Sequence, residues 1–166
     1  MTEDVVGALG LLALGTRLKR IGERLQADTD QIISESGLGI SAGRYPYLAS
    51  LDRLGPLTIG ELAEAVGVSQ PGATRSVHVL LRQGLVESEA SEEDQRRRIV
   101  RLSGEGRRLV EVGKRDIWPR VEAAVASLCA DLDGPLLGQL AAIEEGLAEA
   151  PLARRADGRG KMAGAA

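Results

Sequence analysis

The chain has 166 residues, 43% of them hydrophobic and 27% charged, a formal net charge of −3, and only Trp118, Tyr45 and Tyr47 as aromatics. That length suits one ordinary domain rather than two. A lone Cys129 and a lone His78 exclude an internal disulfide and a thiolate–imidazole zinc site. The negative total is only an average, because a nucleic acid meets local clusters of Arg rather than the sum.

In chain order, residues 3–34 read as one long helix. Leu11, Leu14, Leu18, Ile21 and Leu25 recur at steps of three and four and form a single apolar stripe that asks for a partner helix. Residues 36–40 break it. Ser41 reads as the N-cap of a second helix bearing Tyr45, Tyr47, Leu48 and Leu51, with Pro46 expected to shorten or bend it. Gly55-Pro56 is a turn. Thr58 and Glu61 then make a capping box for a short helix with Leu62, Ala63 and Val66 inward. Gly67 to Ser69 is a tight turn, and Ser69 caps the next helix with Pro71 in its first turn. That helix runs to about Arg82, burying Ala73, Val77, Leu80 and Leu81, and Gly84 stops it.

Residues 85–89 and 97–102 read as two strands around a polar loop, a β-hairpin with alternation at Arg98, Val100 and Leu102. Ser103 caps a long helix with Leu109, Val112, Trp118, Val121, Val125 and Leu128 inward and a kink expected at Pro119. After the turn at Asp133-Gly134-Pro135, a last helix aligns Leu136, Leu140, Ile143 and Leu147. From Pro151 the composition of Ala, Gly and Arg leaves little to bury, so residues 151–166 are expected to be a disordered tail.

Residues 57–103 carry the chemistry. A helix, a tight turn and a second helix project Ser69, Gln70, Gly72, Thr74, Arg75 and His78 outward. An α-helix fits the major groove, where Arg reads guanine and Thr or Gln meets base edges or phosphates. The hairpin adds Arg96, Arg97, Arg98 and Arg101 within six positions, and Asp94 is near enough to form a wing salt bridge with Arg96.

The segment LTIGELAEAVGVSQPGATRSVHVLLRQGLVE, followed by DQRRRIVRLS, resembles the multiple antibiotic resistance regulator (MarR) family. Asp94, Arg96, Val100, Leu102 and Ser103 fit that family's wing pattern, with Ser for Thr, and Thr74-Arg75 fits its recognition helix. The resemblance extends to about residue 150. It implies a mainly α fold with a small β-hairpin wing: a winged helix-turn-helix lobe at 40–103 between dimerisation helices at 3–34 and 104–149, all in a single domain, 1–150. It further implies a homodimer that binds double-stranded DNA at a pseudo-palindromic operator, acts as a repressor, and is released by a small aromatic or phenolic effector; a cytoplasmic location is expected from the lone thiol and the lack of a membrane-length apolar run. Tyr45, Tyr47 and Trp118 are the candidates to touch such a ligand. Ser88 departs from the family, which often has Arg there, and Glu89, Glu92 and Glu93 would repel phosphates.

Blander readings stand beside these. A winged helix can serve as a protein-interaction module without sequence-specific DNA binding. His78 can be a solvated helix position and Cys129 a small core residue. Nothing resembles a phosphate-binding loop, a dinucleotide turn or a nucleophile with a His partner, so neither an enzyme nor a cofactor is expected. No apolar run approaches the ~20 residues of a membrane span, and MTEDVV is unlike a secretory signal.

Overall fold

The computed structural model describes residues 2–90 and 98–160, the last four as backbone. It divides into two compact units, 1–124 and 125–166. Among the described residues no helix is long and apolar enough to cross a membrane.

The first unit opens with α1 (Val5–Ala8), a 3₁₀ turn (Gly10–Ala13) and α2 (Leu14–Glu35). The long helix expected from residue 3 is therefore broken. Gly10 sits at φ 55, a left-handed conformation that interrupts the helical ladder and that glycine reaches without a Cβ penalty. Asp4 caps α1 and takes two hydrogen bonds from the Arg20 guanidinium, at 2.9 and 3.0 Å. Those bonds hold its carboxyl at a pKa of about 2. On the expected stripe, Leu11 is 87% exposed, and Leu18 and Ile21 are also exposed.

A 3₁₀ turn (Ala42–Arg44) leads into α3 (Tyr45–Leu54). Ser41 is not the side-chain cap expected. Its Oγ accepts from Arg44, while Asp30 of α2 accepts from the Ala42 N–H. Pro46 falls in the first turn of α3, where it removes no helical hydrogen bond, so it neither bends nor shortens the helix.

Next come β1 (Leu57–Thr58), α4 (Ile59–Val66), α5 (Gln70–Arg82), β2 (Val86–Ala90), β3 (Arg98–Leu102) and α6 (Gly104–Val112). The sheet has three strands in the order β1-β3-β2, all antiparallel, so the wing is more than a hairpin. Leu57 and Thr58 pair with Val100 and Ile99, a strand of two residues too short to show in periodicity. Thr58 also completes the capping box with Glu61, whose carboxylate accepts from the Thr58 N–H at 2.7 Å. Thr58→Ala is expected to cost about 1 kcal/mol in urea unfolding. An unchanged midpoint would show that the cap contributes nothing.

The core gathers on α3, α4, α5 and the sheet. Leu48, Leu62, Ala73, Leu80, Val100 and Val110 are fully enclosed, whereas Leu81 is only half-buried. At roughly 1.5–3 kcal/mol for each large aliphatic side chain, this cluster dominates the stability of the first unit. Ser103 stitches it together. Its Oγ donates to the Gly84 carbonyl at 2.6 Å and accepts from the Gly106 N–H, while its own N–H donates to Leu85 O.

Beyond α6 lies a π-helical turn (Gly113–Ile117), then α7 (Trp118–Leu128). The irregularity expected at Pro119 thus comes earlier, at Gly113. An ideal Cβ on Gly113 would lie 1.4 Å from the Tyr45 hydroxyl, so only glycine allows this approach. Lys114 in the same turn bonds to Asp52 of α3 at 2.7 Å and to Glu111. Both bonds raise the Lys114 pKa, Asp52 first. Val125 and Leu128, expected inward, are exposed.

In the second unit, α8 (Leu136–Glu149) leaves Leu137, Ile143 and Leu147 exposed, and Cys129 is half-buried rather than enclosed. A further helix, α9 (Leu152–Gly160), stands where a disordered tail is expected. Ala and Arg favour helix. Arg155 also donates to the Ala150 and Gly146 carbonyls at the end of α8.

Candidate nucleic-acid interface

Helix α4 ends at Gly67 (φ 72), and the Val68 N–H closes on the Ala63 carbonyl at 2.9 Å. The chain then turns into α5, capped by Ser69, whose Oγ accepts from the Gly72 N–H. Ala63 and Ala73, both buried, are small where α4 and α5 share the core. Ala73, Val77 and Leu80 anchor α5 at steps of four and three, which turns the opposite face to solvent.

That outer face carries Gln70, Pro71, Arg75, His78 and Arg82, all exposed, with Thr74 half-buried beside them. Pro71, Arg75, His78 and Arg82 follow one another at steps of four, three and four, a single stripe. No residue of α5 is acidic. Arg75 is exposed and has no hydrogen bond or ion pair among the described residues. Thr74 differs: its Oγ1 donates to the Gln70 carbonyl at 2.9 Å. Gly72 is half-buried, and its pro-Cβ position meets Ser69 Oγ at 3.3 Å. Arg82 was not among the residues singled out in the sequence, although its position one turn beyond His78 carries the signal.

The wing separates its arginines by face. On β3, Arg98 shares a face with Val100 and Leu102 and is exposed at the open end, its Nε donating to Ser88 Oγ at 3.3 Å. Arg101 points from the other face. It lies directly across from Glu87 and is bonded to Glu87 at 3.0 Å and Glu89 at 2.8 Å. The hydrogen bond it donates to Glu87 and the charges of both acids raise its pKa. Arg101 is thus internally neutralised, which removes one of the four arginines expected on the wing. Asp94, Arg96 and Arg97 lie outside the described residues, and so does the wing salt bridge.

The three aromatics lie together only in part. Tyr45 is buried, its hydroxyl donating to Leu109 O at 3.3 Å and its ring edge-on to Trp118 with centroids 5.6 Å apart. Burial raises its pKa. Tyr47 is also buried in the core, and Trp118 is the one of the three with accessible surface. Among the described residues no three His, Cys, Asp or Glu side chains could hold a metal ion.

Residues 38–97 match the model of the MarR family. No curated protein matches the sequence. Among solved structures, the chain is similar to the PcaV transcriptional regulator from Streptomyces coelicolor in complex with its natural ligand: 21% identity, TM-score 0.67, covering 90% of this chain and 99% of that one. It is similar to a mutant MarR from E. coli complexed with operator DNA, at 20% identity and TM-score 0.63, with coverage of 87% and 99%. It is also similar to Bordetella bronchiseptica BpsR, described for the regulation of its DNA binding by 6-hydroxynicotinic acid, at 22% identity and TM-score 0.65, with coverage of 82% and 93%. At these identities the likeness is one of fold.

Proposed function

With a MarR-family winged helix-turn-helix over residues 38–97 and the fold of MarR-type regulators around it, we propose that the chain is a DNA-binding transcriptional regulator. In this reading it represses from a pseudo-palindromic operator as a homodimer and is released by a small ligand. The observation that carries the proposal is the acid-free outer face of α5, with Arg75 unpaired among the described residues between Pro71 and His78. A local cationic stripe on a protein of net charge −3 is what recognition of a duplex requires.

Arg75 takes the base-reading role, Arg82 and His78 extend the stripe, and Ser69, Gln70 and Gly72 bring the first turn of α5 to the backbone. Arg96, Arg97 and Arg98 belong to the wing contact. The exposed Leu9, Leu11 and Leu12 of the first unit, and Leu137, Ile143 and Leu147 of the second, support a homodimer, since apolar surface of that extent is a partner surface. A DNA-binding role in the cytoplasm fits this picture. The effector is assigned to the Trp118 side, as an aromatic or phenolic acid of the kind that regulates BpsR. The buried Tyr45 and Tyr47 would be reached only through displacement of core contacts.

Fluorescence anisotropy with the duplex upstream of the protein's own gene tests this. The expected result is salt-sensitive binding of two 17.5 kDa chains per duplex. Arg75→Ala should lose about ten- to a hundredfold in affinity for that duplex and much less for random DNA. Absence of salt-sensitive binding overturns the regulator; equal losses on both DNAs overturn the role of Arg75.

A further inference from the structure

We infer that Thr74 is a specificity-determining residue that reads a thymine through its methyl group and not by hydrogen-bond donation. The inference rests on the reading that α5 enters a major groove. Thr74 is half-exposed beside Arg75, one turn after Gln70 and one turn before His78, within the face proposed to meet the bases. Its single hydroxyl hydrogen is engaged by the Gln70 carbonyl at 2.9 Å. A threonine hydroxyl has one hydrogen, so Thr74 has none left for guanine O6 and N7, adenine N7 or thymine O4, which are all acceptors.

Two groups remain to it. One is an oxygen turned back toward its own helix. The other is the second branch of Cβ, a methyl, which is left to project when the oxygen is directed at the preceding turn. In the major groove only thymine offers a methyl to meet it. Arg75 next to Thr74 has no partner among the described residues and is suited to guanine. Each half-site should therefore hold a thymine close to a guanine, the first recognised by apolar contact and the second by charge-assisted bonds.

The experiment begins with selection of bound duplexes from a randomised pool by the wild-type protein. Each thymine of the enriched half-site is then replaced in turn by uracil, which lacks only the methyl. For the wild type, one uracil position near the guanine should lower affinity about fourfold, the worth of one buried methyl. Thr74→Val keeps methyls and lacks the hydroxyl, and should show the same loss at that position. Thr74→Ser keeps the hydroxyl and lacks the methyl, and should bind thymine and uracil alike. Thermal midpoints of both variants establish that they are folded. If Thr74→Val weakens binding while uracil changes nothing in the wild type, the hydroxyl is the reader and the inference is overturned. Failure to enrich any sequence instead removes the DNA-binding reading itself, a separate outcome.

Discussion

Gly106→Ala is expected to destabilise the protein by about 3 kcal/mol, against the ordinary sense of such a change in a helix. At an open helical site alanine is better than glycine by about 1 kcal/mol. Here the new Cβ would lie 2.0 Å from the Leu85 carbonyl oxygen and 3.3 Å from Leu102 Cδ2. The carbonyl is backbone, accepts from the Ser103 N–H at 3.1 Å, and lies at the root of β2, where Val86 pairs with Leu102. It cannot rotate away as a side-chain tip could. The first turn of α6 must lift from the sheet, which opens the Ser103 bonds to Gly84 and Leu85 together. Urea unfolding should show a lower midpoint with an unchanged slope. A midpoint equal to the wild type's would mean that the close packing of α6 on the strand root is wrong.

Gly113→Ala should cost about 1–3 kcal/mol, for a different reason. The clash is with the Tyr45 hydroxyl at 1.4 Å and ring carbon Cζ at 2.5 Å, and Tyr45 is buried, its hydroxyl bonded to the Leu109 carbonyl and its ring against Trp118. Removing the ring should therefore remove the penalty. Tyr45→Ala is itself destabilising, but adding Gly113→Ala to it should cost nothing further, a coupling that a double-mutant cycle reads directly. Tyr45→Phe should relieve the clash only in part, because Cζ remains. Gly22, with nothing within 4 Å of its Cβ position, is the internal control: Gly22→Ala should leave the midpoint unchanged or raise it. Additive losses from Gly113→Ala and Tyr45→Ala would show that the two residues do not meet.

The helix-turn-helix was legible because its signals are local. Thr58 with Glu61, Gly67, Ser69 with Pro71, and Gly84 each act within four residues of themselves, and every one performs its expected role. The features that escaped depend on distant partners. Asp30 displaces Ser41 as the group that meets the Ala42 N–H from twelve residues away. Strand β1 exists only because Val100 and Ile99 come to lie beside it. The π turn answers to Tyr45, more than sixty residues earlier. For the site, the spacing of Arg75 and His78 on α5 gave their face, and would have given Arg82. The fate of Arg101 depended on the register of two strands, which places Glu87 opposite it. Periodicity also could not distinguish a stripe that packs within the chain from one left uncovered, as at Leu11 and Leu128.

The acids that clasp Arg101 bear on how the molecule would behave among the millions of irrelevant base pairs of a chromosome. A β-finger bristling with loose guanidinium groups would linger wherever it landed, since each phosphate it neutralises releases counterions whatever the sequence. With one of its arginines already satisfied by Glu87 and Glu89, this finger would hold anonymous duplex more weakly. In the proposed regulator, such a finger would move on sooner from wrong addresses and leave discrimination to the helix beside it.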